Sequence, residues 1–117
     1  MTEEEEYRIA IAMWEHIKIC IWEDALVPNK VLKGMKRRFL EGFDVDWNSN
    51  CWLCEEAGQC DYCPLDPCNE NGSSWNIVDD YVVTGGKGKI TKQHALNACD
   101  TIIKAHEEYY NDHYQAD

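Results

Sequence analysis

The chain has 117 residues, 44% of them hydrophobic and 11% aromatic, a composition that builds a folded core and argues against intrinsic disorder. Twenty-two acidic against 11 basic residues leave a formal net charge of −11, which repels nucleic acid and anionic membrane at long range and favours a basic partner. No apolar run approaches the ~18 residues that cross a bilayer, and the opening Met1-Thr2-Glu3-Glu4-Glu5-Glu6 lacks the positive charge of a secretory leader.

Thr2 has the chemistry of an N-cap, and four glutamates in the first turn suit the positive end of a helix dipole. From there to about Leu26 the spacing predicts a long helix, with Tyr7, Ala10, Trp14, Ile17, Ile21 and Ala25 on one stripe. Ile11, Met13, Cys20 and Trp22 widen it, leaving a polar strip around Arg8, Glu15 and Glu23. So wide a stripe exceeds the single face of a surface helix. It predicts a central helix packed on two sides; the alternative gives part of it, including Trp14 and Trp22, to a homodimer or partner interface.

Pro28 ends that helix and Asn29 caps the next, predicted over residues 30–42. Val31, Met35 and Phe39 are expected inward with Leu32 and Leu40 beside them, while Gly34 weakens the helix and Gly42 stops it. Lys30, Lys33, Lys36, Arg37 and Arg38 are five of the chain's 11 basic residues. Lys36, Arg37 and Arg38 are therefore candidates for contact with phosphate or an acidic partner, against the plainer reading of a solvated helix face. No aromatic residue interrupts the basic run, so it offers no platform for stacked bases.

A turn-rich linker follows from Gly42 to Asn50, in which Phe43, Val45 and Trp47 alternate with polar residues and lay one side on the core. It leads into Cys51-Trp52-Leu53-Cys54-Glu55-Glu56-Ala57-Gly58-Gln59-Cys60-Asp61-Tyr62-Cys63-Pro64-Leu65-Asp66-Pro67-Cys68, which holds five of the seven cysteines. A C-x2-C pair puts two sulfurs on one tight turn, and two pairs make the closed tetrahedral set of a structural Zn2+. Five thiols compete for four places. Cys51, Cys54, Cys60 and Cys63 are the first choice, with Cys68 the substitute if the short connection excludes one of them. His94, His106 and His113 are secondary candidates.

An iron–sulfur cluster is the rival cofactor, because the second pair ends in Cys63-Pro64, although the gaps differ from ferredoxin spacing. A redox dithiol lacks its βαβ setting. The C-x2-C pairs, the odd cysteine count and the absence of an export signal place the expected protein in a reducing cytoplasm.

The order Cys51-Trp52-Leu53-Cys54-Glu55, then Cys60-Asp61-Tyr62-Cys63-Pro64-Leu65, then Cys68 resembles a group of small, largely uncharacterised proteins of phages and prophages. The likeness covers roughly the middle fifth of the chain. It implies metal binding and a mobile-element setting, hence a host bacterial cytoplasm, and attaches no activity.

Beyond a polar turn, Ser74 caps a short predicted helix with Trp75, Val78 and Val82 on one face; Ile77, Tyr81, Val82 and Val83 leave a strand as the alternative. Thr84-Gly85-Gly86-Lys87-Gly88-Lys89 is not a phosphate loop, since G-x-x-x-x-G-K-[ST] is absent, and reads as a flexible linker. Thr91 caps a last helix to about His113, striped by Ala95, Leu96, Cys99, Ile102, Ile103, His106, Tyr109 and Tyr110. Its aromatic end covers the first helix, or leaves Tyr110 and Tyr114 exposed for a partner.

The expected fold is one mostly α domain over residues 1–117: N-terminal helices in 1–46, an irregular cysteine-ligated zinc loop in 47–70 and a helical part in 71–117. No Ser/His/Asp arrangement or acid/base pair stands out, and four thiolates leave no open position for water at the metal, so Glu55 and Glu56 are not read as a catalytic base. The expected function is non-catalytic binding and inhibition or modulation of a host protein, in the manner of phage anti-defence factors. Its interaction candidates are Trp14, Trp22, Lys36, Arg37, Arg38, Tyr110 and Tyr114. A zinc-stabilised nucleic-acid module using residues 30–42 is the first alternative, and an iron–sulfur or redox protein the second.

Overall fold

The structure, a computed structural model, describes residues 2–25, 31–45, 47, 52–57 and 73–115. All regular structure among them is helical: α1 (Glu3–Trp22), α2 (Leu32–Leu40), α3 (Trp52–Ala57), α4 (Ser74–Val83), α5 (Lys92–Tyr110) and a final π-helical turn (Asn111–Gln115). The chain is thus small and mostly helical, and none of these helices is long and apolar enough to cross a membrane.

Local chemistry sets the starts of the helices. Thr2 accepts from the Glu5 N–H while the Glu5 carboxylate reaches back to the Thr2 backbone, a complete capping box. Thr91 caps α5 through the His94 N–H at 3.1 Å. Ser73, one residue earlier than expected, caps α4 by accepting from Asn76 N–H at 3.2 Å. The β-branched run in 77–83 is helical because that cap and the apolar face of Val78, Tyr81 and Val82 are satisfied together.

The first helix stops earlier than Pro28 requires. Asp24 takes φ 56° just past Trp22, and the Ala25 N–H returns to Cys20 O at 2.9 Å. This is a left-handed cap with aspartate in the usual glycine place, and it satisfies the last carbonyls four residues before Pro28. The glycine segment after α4 is likewise a built turn. Gly86 has φ 83°, and a Cβ there would lie 2.9 Å from the Tyr81 hydroxyl. Thr84 Oγ1 accepts from the Gly88 N–H at 3.1 Å.

α5 is the central element, packed on one side by α1 and on another by α4. Ala95, Ala98, Cys99, Ile102, Ile103 and Ala105 face Ala10, Met13, Trp14, Ile17 and Ile21 of α1 and Val78, Tyr81 and Val82 of α4 in one core. α2 bridges α1 and α4: the Leu32 N–H donates to Asp79 Oδ1 at 2.9 Å, and Phe39 meets His16 with ring centroids 5.4 Å apart. α1 is therefore packed on two sides, as its wide stripe predicts.

The inward face of α2 is rotated from the expected one. Leu32, Lys36 and Leu40 are buried, Met35 and Phe39 half-buried, and Val31 is exposed. Lys36, only 1% exposed, runs its stem into the core and sets its ammonium 5.5 Å from the Trp14 ring and 6.0 Å from that of Trp75. The aliphatic stem packs as a hydrophobe and the charge is met by two indole faces, so the residue fills a core position that its type disguises.

Candidate functional site

The amino-terminal turn of α1, the short helix α3 and the π-helical turn converge on one end of the molecule. Trp52, with no exposed surface, is the hub. Its ring meets Tyr7 at 5.7 Å, His106 at 5.9 Å, Tyr109 at 5.7 Å edge-on and Tyr114 at 6.4 Å. Tyr110 stacks on Tyr7 at 4.1 Å and 7°, so it covers the first helix. Aromatic pairs in these offset and edge geometries each add about 0.5–1.5 kcal/mol beyond area burial.

Beside this hub lie three carboxylates, Glu3 and Glu6 from α1 and Glu56 from α3, each offering an oxygen within 4.8 Å of the others. The Trp47 indole N–H donates to Glu6 Oε1 at 3.1 Å, and the Tyr114 hydroxyl donates to Glu56 Oε2 in a short hydrogen bond. Glu3 and Glu56 face each other closely enough to share a proton; with burial and the charge of Glu56, this raises the Glu3 pKa to about 7, while the Trp52 side chain pulls it the other way. The Tyr114 hydroxyl is pushed well above its ordinary range, first by its bond to Glu56 and then by burial.

His106 is buried on α5 with Nδ1 2.8 Å from Ile102 O. A carbonyl only accepts, so Nδ1 is the donor, and Nε2 has no hydrogen-bond partner among the described residues. His94 and His113 are exposed, and His113 bonds Tyr109 O at 2.9 Å.

Of the five cysteines read as metal ligands, Cys51, Cys60, Cys63 and Cys68 lie outside the described residues, and Cys54 is described only as part of the α3 backbone. Cys20 and Cys99 are free thiols. Burial, then the neighbouring Asp100 charge, pushes the Cys99 thiol up to about 12; burial, then Glu23, raises that of Cys20, although His16 Nε2 is 3.6 Å from its sulfur. Neither is set up as a nucleophile.

The seven interaction candidates divide by exposure. Trp14, Lys36 and Tyr110 are committed to the core, where wide apolar periodicity and a cation between indoles are packing features. Trp22, Arg37, Arg38 and Tyr114 reach the surface. Trp22 is 65% exposed, with Ile19 at 53% on the same outer face of α1. It is held in place: Lys92 sets its ammonium 5.9 Å from the indole centroid, donates to Trp22 O at 3.1 Å and pairs with Asp24 at 2.8 Å. On α2, Lys33, Arg37 and Arg38 are exposed around Gly34, and none forms an ion pair among the described residues.

Sequence reading misses the carboxylate cluster, because nothing local links Glu3 and Glu6 to Glu56. The i, i+3 spacing of Glu3 and Glu6 on a helix is its only trace. Comparison with protein families, with characterised proteins and with solved structures gives no match.

Proposed function

We propose that this chain is a small acidic accessory protein of phage type that acts by binding, and so inhibiting or modulating, a host protein. In this reading a Zn2+ held by four of Cys51, Cys54, Cys60, Cys63 and Cys68 staples the middle of the chain, and the contact surface lies on the helices. The observation that carries it is Trp22. An exposed indole fixed by a cation, a carboxylate and its own backbone carbonyl loses little conformational entropy on binding, and tryptophans of this kind dominate interface energetics. The excess of acidic residues over the whole chain suits a target with a basic surface.

The test is affinity capture from a bacterial lysate with wild-type protein and Trp22→Ala side by side, then titration of the captured protein in purified form. Trp22→Ala is expected to weaken binding at least about tenfold while leaving the melting temperature in place, since the ring is on the surface. Rising salt is expected to weaken the wild-type complex. Equal binding by both proteins removes the assignment.

The exposed cations of α2 favour one second reading, a nucleic-acid module. An oligonucleotide anisotropy titration decides it: binding lost on combined replacement of Lys33, Arg37 and Arg38 supports that reading, and the net charge of −11 leads us to expect none.

A further inference from the structure

We propose that the outer face of α1 and α2 is a self-association surface, on which a second copy of this chain packs about a two-fold axis running along the helices. Four of the five large hydrophobic side chains exposed among the described residues belong to this face: Ile19, Trp22, Val31 and Phe43. Three of them are joined in one strip. Trp22, Ile19 and His16 follow one another at three-residue steps along α1, which sets them side by side on the helix. The His16 ring meets Phe39 at 5.4 Å, and Phe39 stacks on Phe43 at 5.5 Å and 25°. Single apolar residues on a surface need no partner, whereas a strip continuous across two helices marks an interaction site.

Charge decides which partner fits. Lys33, Arg37 and Arg38 on α2 are exposed, as are Glu15 and Glu23 on the outer side of α1, and none of the five forms an ion pair among the described residues. Each copy thus carries an unanswered basic row beside an unanswered acidic one. α2 runs back along α1, since Phe39 lies against His16 while Trp47, farther along the chain, bonds Glu6. Lys33 precedes Phe39 by about as many residues as Glu23 follows His16, and Arg38 and Glu15 adjoin those two contacts in sequence. The rows therefore match in height. A two-fold axis along the helices keeps heights and exchanges sides, so it lays α1 of each copy over α2 of the other. Glu23 then comes to Lys33, and Glu15 to Arg37 and Arg38, twice per dimer, with Ile19, Trp22 and Phe43 closed between them. The net charge of −11 on each copy opposes this approach at long range, but at ~0.15 M salt such repulsion is screened beyond about 8 Å, and the contacts between rows are shorter than that. Such a dimer covers Trp22 and competes with a host protein for it; that consequence rests on Trp22 being the host contact, and the dimer itself does not.

The test is sedimentation equilibrium of the full chain, as purified, over about 1 μM to about 1 mM in ~0.15 M salt. A monomer–dimer equilibrium that goes no further is expected, because a two-fold contact closes on itself. Lys33→Glu, Arg37→Glu and Arg38→Glu combined should weaken the dimer at least about tenfold, and so should Glu15→Lys with Glu23→Lys. An equimolar mixture of these two variants should dimerise again, since each row then faces its opposite; a variant that had merely failed to fold would not be rescued in this way. Lys87→Glu, Lys89→Glu and Lys104→Glu combined, which change the net charge equally at exposed sites elsewhere, should leave the dimer within about twofold of wild type. No host protein enters the assay, so its failure leaves the Trp22 contact standing, and failure of that contact leaves the dimer standing. A chain that stays monomeric leaves this face to a host protein alone and overturns the proposal. Open-ended association, equal weakening by all the charge variants, or a mixture that stays monomeric overturns it as well.

Discussion

Glu3 shows how far tertiary structure moves a side chain from its ordinary chemistry. On the first turn of a helix a glutamate is expected to be charged and to gain from the dipole. Here its carboxyl meets Glu56 and its pKa rises to about 7. A carboxyl whose folded pKa lies above the unfolded one binds its proton more tightly in the native state. Its contribution to stability is therefore present at low pH and is lost as pH rises through about 7. The melting temperature should accordingly fall as pH rises from about 4.5 to about 7 and level off above that. Glu3→Gln should flatten that slope in calorimetry. A slope unchanged in Glu3→Gln assigns the pH dependence to another group. Lys36 teaches the complementary lesson. Its charge hides a core position from any reading by residue type, because the stem that packs and the indoles that receive its ammonium are distant in sequence.

At the scale of elements, the features that depend on neighbours in sequence were readable and those that depend on distant ones were not. Thr2 and Thr91 announce the starts of α1 and α5 because a cap is a contact three residues long. The stripes of α1 and α5 survive because both helices bury broad faces in one core. The end of α1 lies before the one the sequence predicts, since Pro28 is a strong signal and Asp24 in a left-handed conformation is a weak one. The face of α2 was rotated by Lys36, and the short helix α3 falls where cysteine spacing suggested only an irregular loop. The glycine-rich segment after α4 reads in sequence as a flexible linker, yet Gly86 sits at φ 83° against the Tyr81 hydroxyl. Gly86→Ala should cost about 1–3 kcal/mol in urea denaturation, from the left-handed backbone and the displaced tyrosine together. Gly42→Ala, where no atom lies within 4 Å of an added Cβ, should cost much less.

For the whole molecule, the proposed zinc staple and the helical core can be probed by separate measurements. Among the described residues, α1, α4 and α5 share one apolar core, which α3 joins through Trp52 and Leu53. Structural zinc in small modules supplies on the order of 10 kcal/mol to folding. If four of the five clustered cysteines hold Zn2+, a strong chelator should release about one zinc per chain and free the Trp52 hub, read as a red shift in tryptophan emission. The far-UV helical signal from α1, α4 and α5 should fall less than the fluorescence changes. A chain that contains no zinc on elemental analysis, or whose emission ignores the chelator, removes the staple.

The packing of α5 against both α1 and α4 also sets an order of events during synthesis. The first helix leaves the ribosome with Ala10, Met13, Trp14, Ile17 and Ile21 directed at a helix that begins only at Lys92. At ordinary elongation rates that interval lasts on the order of several seconds. Throughout it that apolar face lacks the α5 surface it packs against. Native structure closes late, when α5 arrives and meets α1 across the Tyr7–Tyr110 stack.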